Sequence, residues 1–420
     1  MRTFKYIILI LLSVLVWAAI VVYAGVIKGL LLTTIQSDNT PESFIEATKD
    51  KIEDEFVGNF AMLFIENGQV TNRYHYSVDQ PIDQTSVFQV ASVSKWITSW
   101  GVLKLVEQGK LKLDTPIDHY LTRWHLPESD FDNQKVTIRR LLSHSSGLID
   151  GLGYLGYGPK DQVQTIEESL TKASDAYFSD GIVKVGYEPG SQFMYSGGGY
   201  TLLQLVIEEI SGMSFQNYMT QMVLEPLNMM NSTFVLSEKP NLKLAQLYNE
   251  EGTISEPYIF TALAAASLYT CTEDLSKFML ASLGHNKVLS DETLKLMAKP
   301  ESFVNGVGYY GLGPHLYSQN DTKSKVIGHD GYSLRPLINT AARIDLTSKD
   351  GIIILEMGNH NISSNLADEW LYWKTNIADY VVIQRNKMRL ISIFSIGCLF
   401  IIGLSIRMIR KQKLKRNARF

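Results

Sequence analysis

Ser92-Val93-Ser94-Lys95 sets a hydroxyl and an amine three residues apart. If Ser92 opens a helix, Lys95 lies one turn later on the same face. A serine hydroxyl is a weak nucleophile until a base removes its proton. A lysine amine can be that base when burial and nearby positive charge depress its pKa. The helix N-terminus adds positive potential for a developing oxyanion. The bare Ser-x-x-Lys pattern also arises by chance. Ser169-Leu170-Thr171-Lys172 fits it, in a charged stretch beside Glu167 and Glu168. Ser92 instead follows Val87-Phe88-Gln89-Val90 and leads into an apolar stretch. The residues alone leave Ser92 two readings, a nucleophile or an ordinary helix cap.

Two further clusters carry candidate chemistry. Tyr195-Ser196-Gly197-Gly198-Gly199 follows Glu188-Pro189-Gly190. Three glycines running into an apolar helix allow close backbone approach. The segment lacks the Gly-Lys-Ser/Thr ending and preceding strand of a phosphate loop. A plain loop with a core tyrosine is the other reading. His329-Asp330-Gly331 stands at an expected strand end. The eight histidines include no His-x-x-x-His or other tight ligand cluster, which disfavours a metal enzyme. No cofactor is expected. His144, in His144-Ser145-Ser146-Gly147-Leu148, reads as a brace for the cleft rather than a reacting group.

The elements that must position these residues are legible in outline. Phe60 to Glu66 and Val70 to Tyr76 flank Asn67-Gly68, a hairpin with a tight type I′ turn. Ser92 to Gln108 reads as a helix ended by Gly109, with Ile97, Val102, Leu105 and Val106 spaced for a buried face. Thr137 is expected to cap a short helix to Leu142, and Thr165 with Glu168 forms a capping box. Tyr200 to Ile210 is an apolar helix ending at Gly212, and Ser214 opens another that stops near Pro226. Thr272 is expected to cap Glu273 to Leu283. Strands return at 325–328, 342–346 and 352–355, and 365–378 reads as helical. Strands at both ends and helices between predict an α+β fold: one sheet built from the two ends, with an inserted helical lobe.

Taken in order, Ser92-x-x-Lys95, Tyr195-Ser196-Gly197 and His329-x-Gly331 resemble the serine β-lactamase and penicillin-binding-protein superfamily. The likeness is nearest to the branch of class C β-lactamases, D-aminopeptidases and related esterases. The stretches FQVASVSKWIT, LLSHSSGLIDG, YEPGSQFMYSGGGYTLLQLVIEEISGMSF, LEPLNMMNSTF, GLGP and IGHDG add to it, over about residues 50–360. The resemblance implies a mostly antiparallel sheet with flanking helices, an all-helical lobe and a site between them. It implies Ser92 as nucleophile, Lys95 taking or relaying its proton, and Tyr195 as partner base. It places His329 on the opposite wall of the cleft and the backbone N–H groups of Ser92 and Tyr332 in an oxyanion hole. Two departures count. The second motif usually ends in Asn, and Gly197 removes that amide. The third usually carries a hydroxyl or basic group where Asp330 stands. A carboxylate facing the cleft would repel a substrate carboxylate, whereas one turned into the sheet would not. The expected activity is therefore an esterase, amidase or unusual peptidase rather than an efficient β-lactamase. The alternatives are a DD-peptidase or transpeptidase of the cell wall and a non-catalytic binding or regulatory ectodomain.

Charge and hydropathy place this unit in the chain. The 420 residues carry a formal charge of −4. Three basic residues and no acid lie in 1–35, and ten basic residues and no acid in 385–420, which leaves −17 for the remainder. An acidic body disfavours nucleic acid as partner. Ile7 to Ile27 is a 21-residue uncharged run, and Leu390 to Ile406 one of 17 between Arg389 and Arg407. These predict two transmembrane helices in a lipid bilayer, with both termini cytoplasmic by the positive-inside rule. A cleaved signal peptide is the rival for the first run, a buried core helix for the second. The expected domains are an anchor at 1–35, a polar stalk at 36–49 and the hydrolase domain at 50–378. A juxtamembrane segment at 379–389, a second transmembrane helix at 390–406 and a basic tail at 407–420 complete the chain. Hydrophobic residues at 45% supply a core, and two cysteines, Cys271 and Cys398, exclude a disulfide scaffold.

Overall fold

Asn67 and Gly68 both adopt left-handed φ, 52° and 76°, as the tight hairpin requires. They join β1 (Asn59–Glu66) to β2 (Gln69–Ser77). The structure is a computed structural model. It describes every residue except 1, 33–37, 39, 56–57, 152, 159–160, 178, 319–322, 377 and 418–420. The described chain divides into two units, Ile35–Ala367 and the pair of segments Met1–Thr34 and Asp368–Phe420.

In the larger unit, six more strands complete one sheet: β3 (Ser302–Val304), β4 (Val307–Tyr310), β5 (His315–Tyr317), β6 (Val326–Leu334), β7 (Leu337–Asp345) and β8 (Gly351–Met357). Their order is β2-β1-β8-β7-β6-β5-β4-β3. The neighbours pair antiparallel, and β1 meets β8 with Phe60 opposite Glu356 and Ile65 opposite Gly351. The sheet thus comes from both ends of the unit, with helices between them in sequence. Hydrophobic residues on one face, among them Ile327, Ala342, Ile344 and Ile353, join the core that buries Trp96, Trp100 and Leu103 of the helix Val93–Glu107.

The local signals act as read. Thr137 and Thr165 cap their helices, and Gly109 and Gly212 end theirs with φ of 71° and 69°. Several boundaries differ, three of them for clear reasons. Cys271, not Thr272, caps the helix Thr272–Ala281, its Sγ accepting from Asp274 N–H. Strand β6 runs six residues past Gly328, because Asp330 and Gly331 sit inside it rather than ending it. The stretch expected as a stalk holds a helix, Pro41–Glu55, with Phe44 and Ile52 buried and Phe44 edge-on to Phe64 at 5.6 Å. Residues 36, 37 and 39 of that stretch lie outside the described residues.

Glu356, inside β8, is fully buried. Its Oε2 accepts from the N–H and hydroxyl of Ser363, each at 2.8 Å. Its Oε1 has no hydrogen-bond partner among the described residues. Burial pushes its carboxyl from the usual 4.5 up to about 8. Between those values the folded chain holds a proton that the unfolded chain releases, so this group's contribution to stability falls as pH rises across the window. Glu356→Gln is expected to flatten that fall. Its Tm should drop by several degrees less than the wild type's between pH 5 and pH 8 in paired thermal melts.

The smaller unit contains two long apolar helices. Lys5–Gly25 and Lys387–Gln412 have mean hydropathies of 2.9 and 2.2 and are long and apolar enough to cross a membrane. Trp17 Nε1 donates to the carbonyl of Phe394 at 3.1 Å, and Gly397 leaves room for the same indole, where a Cβ would come within 2.1 Å. A small residue at the crossing is how apolar helices pack closely. The second helix extends beyond the 17-residue run, through Arg407 and into the basic tail.

Candidate active site

Ser92 stands at the N-cap of the helix Val93–Glu107, yet its hydroxyl makes no capping hydrogen bond. The ordinary-cap reading therefore has no support in the geometry. Lys95 Nζ donates to Ser92 Oγ at 3.1 Å and to the carbonyl of Ala265 at 2.8 Å. Just before Ser92, Ala91 takes a left-handed φ of 45°, a strained conformation for a residue with a Cβ. That turn carries the chain from Phe88-Gln89 into the helix and leaves Ser92 lining a cavity. The competing pair does not converge: Ser169 is buried and Lys172 is exposed.

Lys95 is 1% exposed, and burial lowers its amine from 10.5 to about 7. The carboxylate of Asp150 opposes that shift. Asp150 is itself buried, and burial raises it to about 6. It accepts from Gly198 N–H at 2.6 Å and from the hydroxyl of Ser196. Ser196 Oγ in turn accepts from Gly199 N–H at 2.8 Å, capping the helix Gly197–Ser211. A Cβ on Gly198 would come within 2.9 Å of Asp150 Cγ, so this glycine makes room for the carboxylate. Nothing in the sequence marks Asp150 as buried, and the motifs do not single it out.

Tyr195 precedes this cap. The Lys95 amine lies 4.9 Å from the centre of its ring. Burial raises the phenol well above 10, and a hydrogen bond with Ser92 works the other way. The imidazole of His144 stacks on Tyr195 at 4.2 Å, and its Nδ1 accepts from Ser196 N–H at 3.1 Å. Met194 N–H donates to the His144 carbonyl at 2.7 Å. Burial first, then the charge of Lys95, holds His144 well below its usual 6.5. His144 is thus a neutral brace for the Tyr195 segment.

On β6, His329 and Gly331 face the helix Val93–Glu107 and Asp330 faces the other way, by strand alternation. Tyr310 donates its phenol proton to His329 Nε2 at 2.8 Å, and His329 Nδ1–H donates to the Asp330 carbonyl at 2.6 Å. Burial lowers His329 to about 4, so it is neutral at neutral pH. A Cβ on Gly331 would come within 2.2 Å of the Val90 carbonyl. Glycine there lets the strand run against the turn that carries Ser92. The next residue, Tyr332, lines the same cavity as Ser92 and Lys95.

Asp330 settles one alternative. Its carboxylate pairs with Arg343 at 3.3 Å, on a guanidinium with no exposed surface that also sits 4.4 Å from the Tyr317 ring. It is turned into the sheet, so the objection from a repelling carboxylate does not apply. Arg343→Met leaves Asp330 without this partner, and unfolding free energy in urea is expected to fall by about 3 kcal/mol. Arg343→Met/Asp330→Asn should recover much of it. The missing amide at Gly197 stands as read, and its place is taken: a Cβ there would meet the Tyr154 ring at 2.8 Å.

Residues 49–377 match the Beta-lactamase family. The chain belongs to the beta-lactamase family. It is 33% identical over 299 residues to Penicillin-binding protein 4* of Bacillus subtilis (strain 168), covering 65% of this chain and 62% of that protein. It is 26% identical over 313 residues to Protein flp of Staphylococcus aureus (strain NCTC 8325 / PS 47), covering 72% and 59%. The chain therefore spans about three-fifths of the length of these curated relatives. Among solved structures it resembles the octameric penicillin-binding protein homologue from Pyrococcus abyssi. That match has a TM-score of 0.64 and 27% identity, covering 79% of this chain and 75% of that one. The penicillin-binding protein from Bacillus halodurans shares the fold, with a TM-score of 0.60 at 21% identity over 77% and 96% of the two chains. The chain thus belongs to a serine-hydrolase superfamily and carries two helices long and apolar enough to cross a membrane.

Proposed function

We propose that residues 50–378 hydrolyse an ester or amide through an acyl-enzyme on Ser92. One observation carries this reading: the Ser92 hydroxyl leaves its helix uncapped and bonds instead to a buried amine. Neutral Lys95 takes the Ser92 proton as Oγ attacks the substrate carbonyl carbon. The N–H groups of Ser92 and Tyr332 receive the oxyanion. When the bond to the leaving group breaks, Tyr195 with Lys95 returns a proton to it. Water then attacks the acyl carbon and gives its proton to the same pair, which passes it to Ser92 Oγ as the acyl–Oγ bond breaks. His329, neutral and held by Tyr310, shapes the far wall without adding charge. In the same reading both termini are cytoplasmic and the acidic domain faces outward.

The names of the relatives favour a second reading, a penicillin-reactive DD-peptidase or transpeptidase. One experiment separates the readings. The full chain in detergent is treated in turn with a fluorophosphonate, an activated ester and a labelled penicillin, and intact mass is recorded. An adduct at Ser92 with the first two alone supports the esterase or amidase. An adduct with penicillin as well supports the second reading. None with any probe returns the domain to a non-catalytic role.

A further inference from the structure

The cavity beside Ser92 has a volume of about 50 Å³. Tyr195, the proposed proton donor to the leaving group, is not among its walls. Resting on the reading above, the cavity then holds the half of the substrate that stays on Ser92. Its aromatic walls are Tyr154, Phe260 and Tyr332, and one buried amide, Gln89, joins them. Tyr154 occupies the space beside Gly197 and is held on both sides. Its backbone pairs with Ala176, and its phenol oxygen accepts from Thr201 Oγ1 at 3.4 Å. A long chain cannot enter while that ring is in place.

Gln89 has no exposed surface. Its Nε2 donates to the carbonyl of Tyr258 at 3.5 Å, an acceptor that also receives the Tyr269 hydroxyl at 3.3 Å. Only the NH₂ end of an amide can face a carbonyl, so the other end is fixed as oxygen. That Oε1 has no hydrogen-bond partner among the described residues. A buried acceptor without a donor is costly, and a substrate that brings a donor recovers that cost. Gly197 takes a side-chain amide away from this region, and Gln89 puts one back with an acceptor unpaired.

We propose that Gln89 is a specificity-determining residue for the acyl half of the substrate. Its Oε1 accepts an N–H carried by a short acyl group, of the amino- or acylamino-acyl class, and Tyr154 sets the length limit.

The test uses the full chain in detergent and four p-nitroanilides: D-alanyl, L-alanyl, propionyl and octanoyl. Propionyl matches alanyl in carbon skeleton and lacks the N–H donor. The better alanyl substrate should exceed propionyl in kcat/KM by about tenfold or more. Gln89→Leu should bring that ratio close to one. Tyr154→Ala should raise octanoyl relative to propionyl by about tenfold. Thermal melts establish that each variant is folded. An unchanged alanyl-to-propionyl ratio in Gln89→Leu overturns the proposal. So does a wild type that favours propionyl, a result that needs no variant. A wild type that takes a fluorophosphonate on Ser92 but cleaves no anilide also overturns it. A wild type that takes no fluorophosphonate overturns the hydrolase reading as well.

Discussion

Ser92→Ala is expected to abolish the covalent adduct and to lower kcat on an activated ester by about 10⁶-fold. Loss of the nucleophile leaves the amine and the phenol with no oxygen to activate. The substitution removes one oxygen that caps no backbone group, so the fold should be unaffected. Tm is expected to stay within a few degrees of the wild type. A variant that keeps the adduct would place the reacting residue elsewhere. A variant that unfolds would mean that the hydroxyl holds structure, contrary to its uncapped geometry. Intact mass and a thermal melt on one sample separate these outcomes.

The second large effect concerns Lys95. Lys95→Met keeps much of the side-chain volume and removes the amine. A positioned base contributes about 10²- to 10⁴-fold, and a loss of that size in kcat/KM is expected. The pH profile adds a sign. Burial lowers the amine to about 7, and only its neutral form can take the Ser92 proton. Activity should therefore rise with pH through about 7 and then level off. A protonated lysine acting only as an electrostatic anchor would give the opposite slope, with activity falling as pH rises. Measuring kcat/KM on an uncharged activated ester keeps substrate ionisation out of the profile.

Local interactions were the legible part. The Asn67-Gly68 turn, the Thr137 and Thr165 caps and the glycine stops each depend on residues within a few positions of one another. Ser92 and Lys95 were legible for the same reason, being one helical turn apart. The Pro41–Glu55 helix was not. Its charged residues hid Phe44 and Ile52, whose burial depends on packing rather than on local propensity. The helix Gly197–Ser211 begins three residues before Tyr200, on glycines that disfavour helix. It begins there because Ser196 caps Gly199 and because Asp150 fills the space a Gly198 side chain would need. Asp150, Tyr154, Gln89 and Arg343 gain their meaning from partners distant in sequence. An aromatic residue in the glycine-rich stretch 151–156 was the one visible hint of Tyr154.

Strand β1 lies between β2, made at once, and β8, made almost 290 residues later. Until the ribosome has released Met357, the far edge of β1 offers unpaired N–H and C=O groups along an apolar ribbon. Closing so long a loop is slow, because many distant contacts must form together. The helix that follows Ser92, residues 93–107, is translated early, whereas β6, which lines the same cavity, is made more than 200 residues later. A nascent or truncated chain that stops short of β8 therefore leaves the β1–β2 hairpin unjoined to the other five strands and exposes a sticky edge, which makes it a client for chaperones and proteases.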